Sequence, residues 1–127
     1  DVDAALACFT PDAVVTIRHG DALPRLFSAS GDGADPLRAF LEHLLANYEP
    51  RFTDFVHYID AENERCASRF VVKLTARPEG AAATVGDQEL LNCNFFEFEG
   101  ERISAMLIYY ANPGSRGGAA PTGYPAA

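Results

Sequence analysis

With 127 residues, 48% of them apolar, the chain is long enough for one domain with a core of ordinary size and too short for a second. Eighteen acidic residues against ten basic ones leave a formal charge of −8, which repels a phosphate backbone or an anionic membrane surface and excludes nucleic acid as a partner. No apolar run approaches the roughly 20 residues of a bilayer-spanning helix. DVDAALACF carries acids where a signal peptide carries positive charge. Cys8, Cys66 and Cys93 are odd in number and lack C-x-x-C spacing, so neither a disulfide framework nor a metal site is expected. The expectation is a cytoplasmic protein that meets neither nucleic acid nor membrane.

The chain opens on DVDAALACF, where Asp1 or Asp3 can cap a short helix whose apolar face is Val2, Leu6 and Phe9. TPDAVVTIRHG then reads as a strand, with Val15, Ile17 and His19 on one face. PRLFSAS is a second, shorter strand, and SGDGADP is a loop. Asp35-Pro36 is a helix start, a side-chain cap before a proline at the first helical position. Leu37, Phe40, Leu41, Leu44, Leu45 and Tyr48 recur at helical spacing, with Arg38, Glu42 and Asn47 elsewhere on the wheel, and Pro50 is expected to end that helix. From Phe52 the period becomes that of strands: FTDFVHYID, RCASRFVVKLTAR, QELLNCNFFEFE and RISAMLIYYA form an antiparallel meander. Residues 1–112 are thus one domain. Residues 113–127, PGSRGGAAPTGYPAA, are a Gly/Pro/Ala-rich tail whose single large apolar residue, Tyr124, is its expected anchor.

Three stretches carry a resemblance: DVDAALACFTPDAVV, SGDGADPLRAFLEHL and NFFEFEGERISAMLIYYA. They resemble the entrance, the glycine-then-helix segment and the last hairpin of the nuclear-transport-factor-2-like superfamily, which includes ketosteroid isomerases, scytalone dehydratase, limonene-epoxide hydrolases and SnoaL-like polyketide cyclases. The resemblance implies an α+β, cone-shaped, cystatin-like fold: a curved mixed or antiparallel sheet whose four-strand meander wraps around the long helix. It also implies a longer first helix, which about a dozen residues ahead of Asp1 would complete. Relatives place a small-molecule site inside the cone, with no cofactor.

Position by position, the ketosteroid isomerases' carboxylate base falls at Ile17, which cannot take a proton, and their oxyanion donor falls at Asn94, whose amide can still donate. The arginine of the epoxide hydrolases is matched by Arg69, but its carboxylate partners fall near Val71 and Ile108. His57-Tyr58-Ile59 resembles the His-Phe-Ile of scytalone dehydratase. Strand parity proposes Ile17, His19, Phe55, Asn92, Phe96, Ile108 and Tyr110 as the substrate-binding lining, to which the resemblance adds Arg69, with His57 and Asn94 as catalytic residues. An imidazole titrates near neutrality and can move a proton from carbon to a leaving oxygen. A strand histidine bonded to its neighbour is the competing reading of His57, and Arg69 can equally pair with Glu62 or Glu64 across its hairpin.

Two functions are implied by the resemblance. One is a cofactor-independent lyase or isomerase on a small hydrophobic carbonyl compound. The other is a non-catalytic ligand-binding or dimerisation module. Alternation also leaves Leu91, Cys93, Phe95, Leu107 and Tyr109 facing away from the cone, so a homodimer through the outer sheet face is expected.

Overall fold

The computed structural model describes residues 1–31 and 35–112, and of Ala81 and Ala82 the backbone alone. The tail with Tyr124, and the loop residues 32–34, lie outside the described residues. The order is α1 (Val2–Leu6), β1 (Phe9–Arg18), β2 (Arg25–Ser28), β3 (Asp35–Pro36), α2 (Leu37–Asn47), β4 (Tyr48–Asp60), β5 (Arg65–Ala76), a 3₁₀ turn (Ala81–Thr84), β6 (Gln88–Glu99) and β7 (Arg102–Ala111). All strands belong to one sheet in the order β3-β2-β1-β7-β6-β5-β4. The meander from β4 to β7 is antiparallel throughout, and β1 joins it parallel to β7, so the sheet is mixed. No helix among the described residues is long and apolar enough to cross a membrane.

Asp1 caps α1, its Oδ1 accepting from the Asp3 N–H at 3.0 Å. The helix stops at Leu6, and Phe9 belongs to β1 instead of extending the helical face. Asp35 does not cap α2. Asp35 and Pro36 pair in parallel with Phe27 and Ser28, which holds Pro36 extended at ψ 128° and places it in the cap position with no side-chain hydrogen bond. The ladder has taken the residues that a capping signal would have used.

Pro50 does not end α2 either. The helix stops at Asn47, three residues earlier, and Pro50 lies inside the edge strand β4, where the missing N–H can face away from the ladder. The helix end is sealed by Arg77, whose N–H donates to the Asn47 carbonyl at 2.9 Å and whose Nε donates to the Leu45 carbonyl at 2.8 Å. Asn47 itself is buried, its Nδ2 donating to the His43 carbonyl, rather than on an open face of the helix. Gly80 backs onto this corner, where a Cβ would come within 3.1 Å of the Asn47 Cα.

The core has two parts, both between α2 and the inner sheet face. Val15, Ile17, Phe27 and Leu37 are buried together, packed by Leu6, Phe9, Phe40, Leu41, Met106, Ile108 and Tyr110. Phe70, Val72 and Leu74 form the second part with Leu44, Tyr48 and Leu90.

One irregularity in β4 decides which way the second half of that strand faces. Thr53 pairs with Val71 and Val56 with Arg69, so Asp54 and Phe55 together oppose Phe70 alone, a bulge whose Asp54 has φ 60°. Aspartate tolerates that left-handed conformation better than most residues. In consequence Phe52 and Phe55, three residues apart, both meet the Phe70 ring, at 6.1 and 4.9 Å.

Candidate active site

Beyond the bulge, alternation restarts with Phe55, His57 and Ile59 toward the inner face. Register then carries a single row across the sheet: His57 opposite Ser68, Ser68 opposite Asn94, Asn94 opposite Ile108, Ile108 opposite Ile17 and Ile17 opposite Arg25. Six side chains from six strands therefore share one line on one face.

The polar end of the row is built on buried groups. Ser68 and Asn94 are 4% and 3% exposed, while His57, on the edge strand, is open to solvent. His57 Nδ1 lies 2.6 Å from Ser68 Oγ, and the Phe55 ring stacks on the imidazole at 5.7 Å. Ser68 Oγ also lies 3.8 Å from the Cys66 sulfur. A hydroxyl both donates and accepts, so Ser68 can hold either tautomer of the ring and leaves Nε2 as the atom free for proton transfer.

Asn94 Oδ1 accepts from Asn92 Nδ2 at 3.4 Å. Asn92 Oδ1 is a buried acceptor with no hydrogen-bond partner among the described residues, which marks it for a ligand hydroxyl or a water. Asn92 sits opposite Tyr110, whose ring stacks on His19 at 4.2 Å with an interplanar angle of 10°. His19 Nε2 in turn meets Asn112 Oδ1 at 3.2 Å. Burial pushes the Tyr110 phenol above its ordinary pKa, and the Arg25 guanidinium draws it partly back.

Of the residues that the sequence nominates, His57, Asn94, Asn92, Phe55, Phe96, His19 and Tyr110 share the inner face, as register and ring contacts place them. Ile17 and Ile108 share it too, but as packing beneath α2. Arg69 is a correction. It alternates with Ser68 and Phe70 and faces the opposite side of the sheet, opposite Val56 and Cys93, so it cannot reach into the cone. Nor does it pair with Glu62 or Glu64; the ion pair of that hairpin is Arg65 with Asp60, at 3.1 Å.

Sequence reasoning passed over two residues. Ser68 had a signal: Cys66, Ser68, Phe70, Val72 and Leu74 alternate with the charged Arg65, Arg69 and Lys73, so a hydroxyl on the buried face was readable. Arg25 had only its parity with Phe27. Among the described residues, no group of three or more His, Cys, Asp or Glu is arranged to hold a metal ion.

Residues 1–106 match the model of the SnoaL-like domain. The chain belongs to the SnoaL-like domain family. Its fold is that of the nuclear-transport-factor-2-like superfamily, as solved structures bear out. A candidate polyketide cyclase from Pseudomonas putida is 21% identical, with a TM-score of 0.66 over 87% of this chain and 80% of that one. A candidate isomerase from Bacillus subtilis is 12% identical, with a TM-score of 0.69 over 87% and 75%. BvnE pinacolase from Penicillium brevicompactum is 15% identical, with a TM-score of 0.63 over 86% and 73%. No functionally curated protein matches the sequence.

Proposed function

We propose that this SnoaL-like cone is a cofactor-independent lyase or isomerase, of the dehydratase or cyclase kind, acting on a small hydrophobic carbonyl compound. The observation that carries the reading is the row in which the exposed His57 is tied through Nδ1 to the buried Ser68, beside the buried Asn94 on the next strand. His57 Nε2 removes a proton from the carbon next to the substrate carbonyl. The electron pair moves toward the carbonyl oxygen, where the Asn94 amide donates a hydrogen bond to the developing charge. In an elimination the pair returns to form the C=C bond as a β-hydroxyl departs, and His57 gives its proton to that oxygen, releasing water. In an isomerisation it returns the proton to another carbon. Ser68 accepts from Nδ1–H while the ring is charged. The cyclase, isomerase and pinacolase names of similarly folded proteins favour this reaction class. Free Cys8, Cys66 and Cys93 fit a reducing cytoplasm as its setting.

The test uses 4-hydroxy-4-phenylbutan-2-one, following enone formation by ultraviolet absorption and α-deuteration in D2O by NMR. The protein should accelerate one or both over buffer, and His57→Gln should remove about 10²–10⁴-fold of that acceleration. Equal rates in the variant and the parent would sink the role of His57. Saturable binding without any acceleration would favour the carrier reading, which the openness of His57 to solvent supports.

The outer face is proposed to pair with a second copy of the chain. Leu91, Phe95 and Tyr109 remain 47%, 45% and 42% exposed there, and Phe95 meets Tyr109 edge-on at 6.0 Å. A groove of about 460 Å³ lies at the hairpin end, lined among others by Tyr58, Ala67, Phe95 and Leu107; His57, Ser68 and Asn94 take no part in it. Clustered exposed apolar side chains of this kind, here bordered by Asp60, Arg65 and Glu97, are usually covered. Sedimentation should give a dimer at micromolar concentration and a monomer for Phe95→Glu; a monomeric parent chain would refute the pairing.

A further inference from the structure

A separate groove, of about 340 Å³, opens at the hairpin end of the sheet. Ile59, Ala61, Glu64, Cys66, Phe98 and Gly100 line it, together with Asp60 and Arg65. The first six stand at alternate positions, in phase with His57 on the first strand, Ser68 on the second and Asn94 on the third, so this groove and the candidate site share the inner face. The Phe96 and Phe98 rings, stacked at 6.1 Å, continue that face from Asn94 toward the turn.

Cys66 joins the two places. It lines the groove, and its sulfur lies 3.8 Å from Ser68 Oγ, the hydroxyl bonded to His57. Register keeps the strands in step there: Ile59 stands opposite Cys66 and Cys66 opposite Phe96, one row below His57, Ser68 and Asn94. From His57 to Ala61 is a run of four residues, roughly 13 Å along the strand, which an extended chain of about ten carbons would span. The Ile59 side chain is 75% exposed, so an apolar chain laid against it removes surface from water on both sides. Charge restricts the far end. Arg65 is taken up by Asp60 at 3.1 Å, and the Glu64 carboxylate has no cation paired to it among the described residues, so an anionic terminus would be repelled.

We propose that this groove binds the alkyl tail of the cone's substrate, so that the substrate class is an uncharged ketone whose unbranched chain runs from the carbonyl at Asn94, past Cys66, to the hairpin end, with Ile59 and Phe98 setting the preference for length. The inference rests on the reading of the cone as a small-molecule site; it does not depend on whether His57 moves a proton.

Equilibrium binding separates the two ideas. The methyl ketones from 2-hexanone to 2-undecanone are titrated by calorimetry into the parent protein and into His57→Gln, Ile59→Glu, Ile59→Ala and Phe95→Glu. A fully buried methylene gains about fourfold in affinity, so one lying in an open groove should gain about twofold, and affinity should climb by that factor per methylene in the parent. The climb should persist in His57→Gln and in Phe95→Glu, whose charge falls in the groove of the outer face. Ile59→Glu should weaken 2-undecanone by about tenfold or more and leave 2-hexanone little changed; Ile59→Ala, which adds no charge, should weaken 2-undecanone by about threefold. The acid of equal length, 10-oxoundecanoate, should bind the parent less tightly than 2-undecanone. No climb in the parent, a climb unaltered in both Ile59 variants, a climb abolished by Phe95→Glu, tighter binding of the acid, or no binding of any ketone up to its solubility limit would overturn the assignment. Loss of turnover in His57→Gln with the climb intact would support both readings. Turnover unaffected in His57→Gln would leave this one standing, and a flat series in a parent that turns over 4-hydroxy-4-phenylbutan-2-one would remove this one alone.

Discussion

The two halves of the inner sheet face have been put to different uses. Under α2, the strands β1 and β2 give up Val15, Ile17 and Phe27 to a buried cluster closed by Leu37, with Met106, Ile108 and Tyr110 of β7 packed against it. At the other end, β4 keeps Phe52, Phe55, His57 and Ile59 open to solvent, although they alternate as a buried strand would. Both halves have the same apolar pattern in sequence. What differs is the cover: α2 is a helix of 11 residues, which at 1.5 Å per residue spans about 16 Å and cannot roof seven strands. Hydrophobic alternation identifies a face that is fit for burial, and the length of the covering element decides which part of that face is buried and which part stays open to solvent.

The sharpest test of this division sets Leu37→Ala against His57→Gln. The first removes a side chain that is 3% exposed and should cost about 2–5 kcal/mol in urea unfolding, whereas the second should cost less than about 0.5 kcal/mol. A comparable loss from both would erase the distinction between core and site. A smaller effect is expected on the border, at Ser68→Ala. The hydroxyl is buried and bonded to His57, so stability should fall by about 1 kcal/mol, and turnover should fall with a shift in its pH profile that His57→Gln cannot show. An unmoved profile would reduce Ser68 to packing.

The smallest effect lies at the open end, in the hairpin between β4 and β5. The Asn63 side chain, and then Arg65, hold the Asp60 carboxyl below its ordinary pKa. A depressed carboxylate contributes stability above its unfolded pKa of about 3.9 and loses it as pH falls through the folded value. Asp60→Asn should therefore lower the urea midpoint slightly near neutral pH, and the difference should shrink as pH falls below the unfolded value. A difference that grows toward acid would contradict the sign.

How much of the molecule was legible in its sequence differs between backbone and site. The meander was readable because Gln88–Glu99 and Arg102–Ala111 are rich in aromatic and aliphatic residues and flank a turn at Gly100, and the structure gives those strands the boundaries that the pattern implies. The Asp35-Pro36 signal misled because a cap motif describes local preference alone, and pairing with Phe27 and Ser28 is a tertiary fact. His57 and Asn94 could be assigned a face by parity. Their alignment in one row with Ser68 and Arg25 could not be read, because register between strands is set by pairing across the whole sheet. Arg69 failed for the complementary reason: its candidacy came from resemblance, and simple counting from Phe70 would have turned it outward.

The bulge at Asp54 gives β4 an arithmetic of its own. Because two residues there do the work of one, Pro50 and Phe52 before it and Phe55, His57 and Ile59 after it face the same way despite their opposite parity. The strand is therefore sensitive to length where it is tolerant of identity. A glycine in place of Asp54 would accept φ 60° without strain, and removing that one residue would set Phe55 alone opposite Phe70 in strict alternation, with Phe52, Phe55 and His57 still on the inner face. Among descendants of this sequence, length at this point would then act as a molecular reading frame: loss of Asp54 alone would keep the histidine inward, whereas loss of both Asp54 and Phe55 would set Val56 opposite Phe70 and turn the histidine outward without a single substitution in the site.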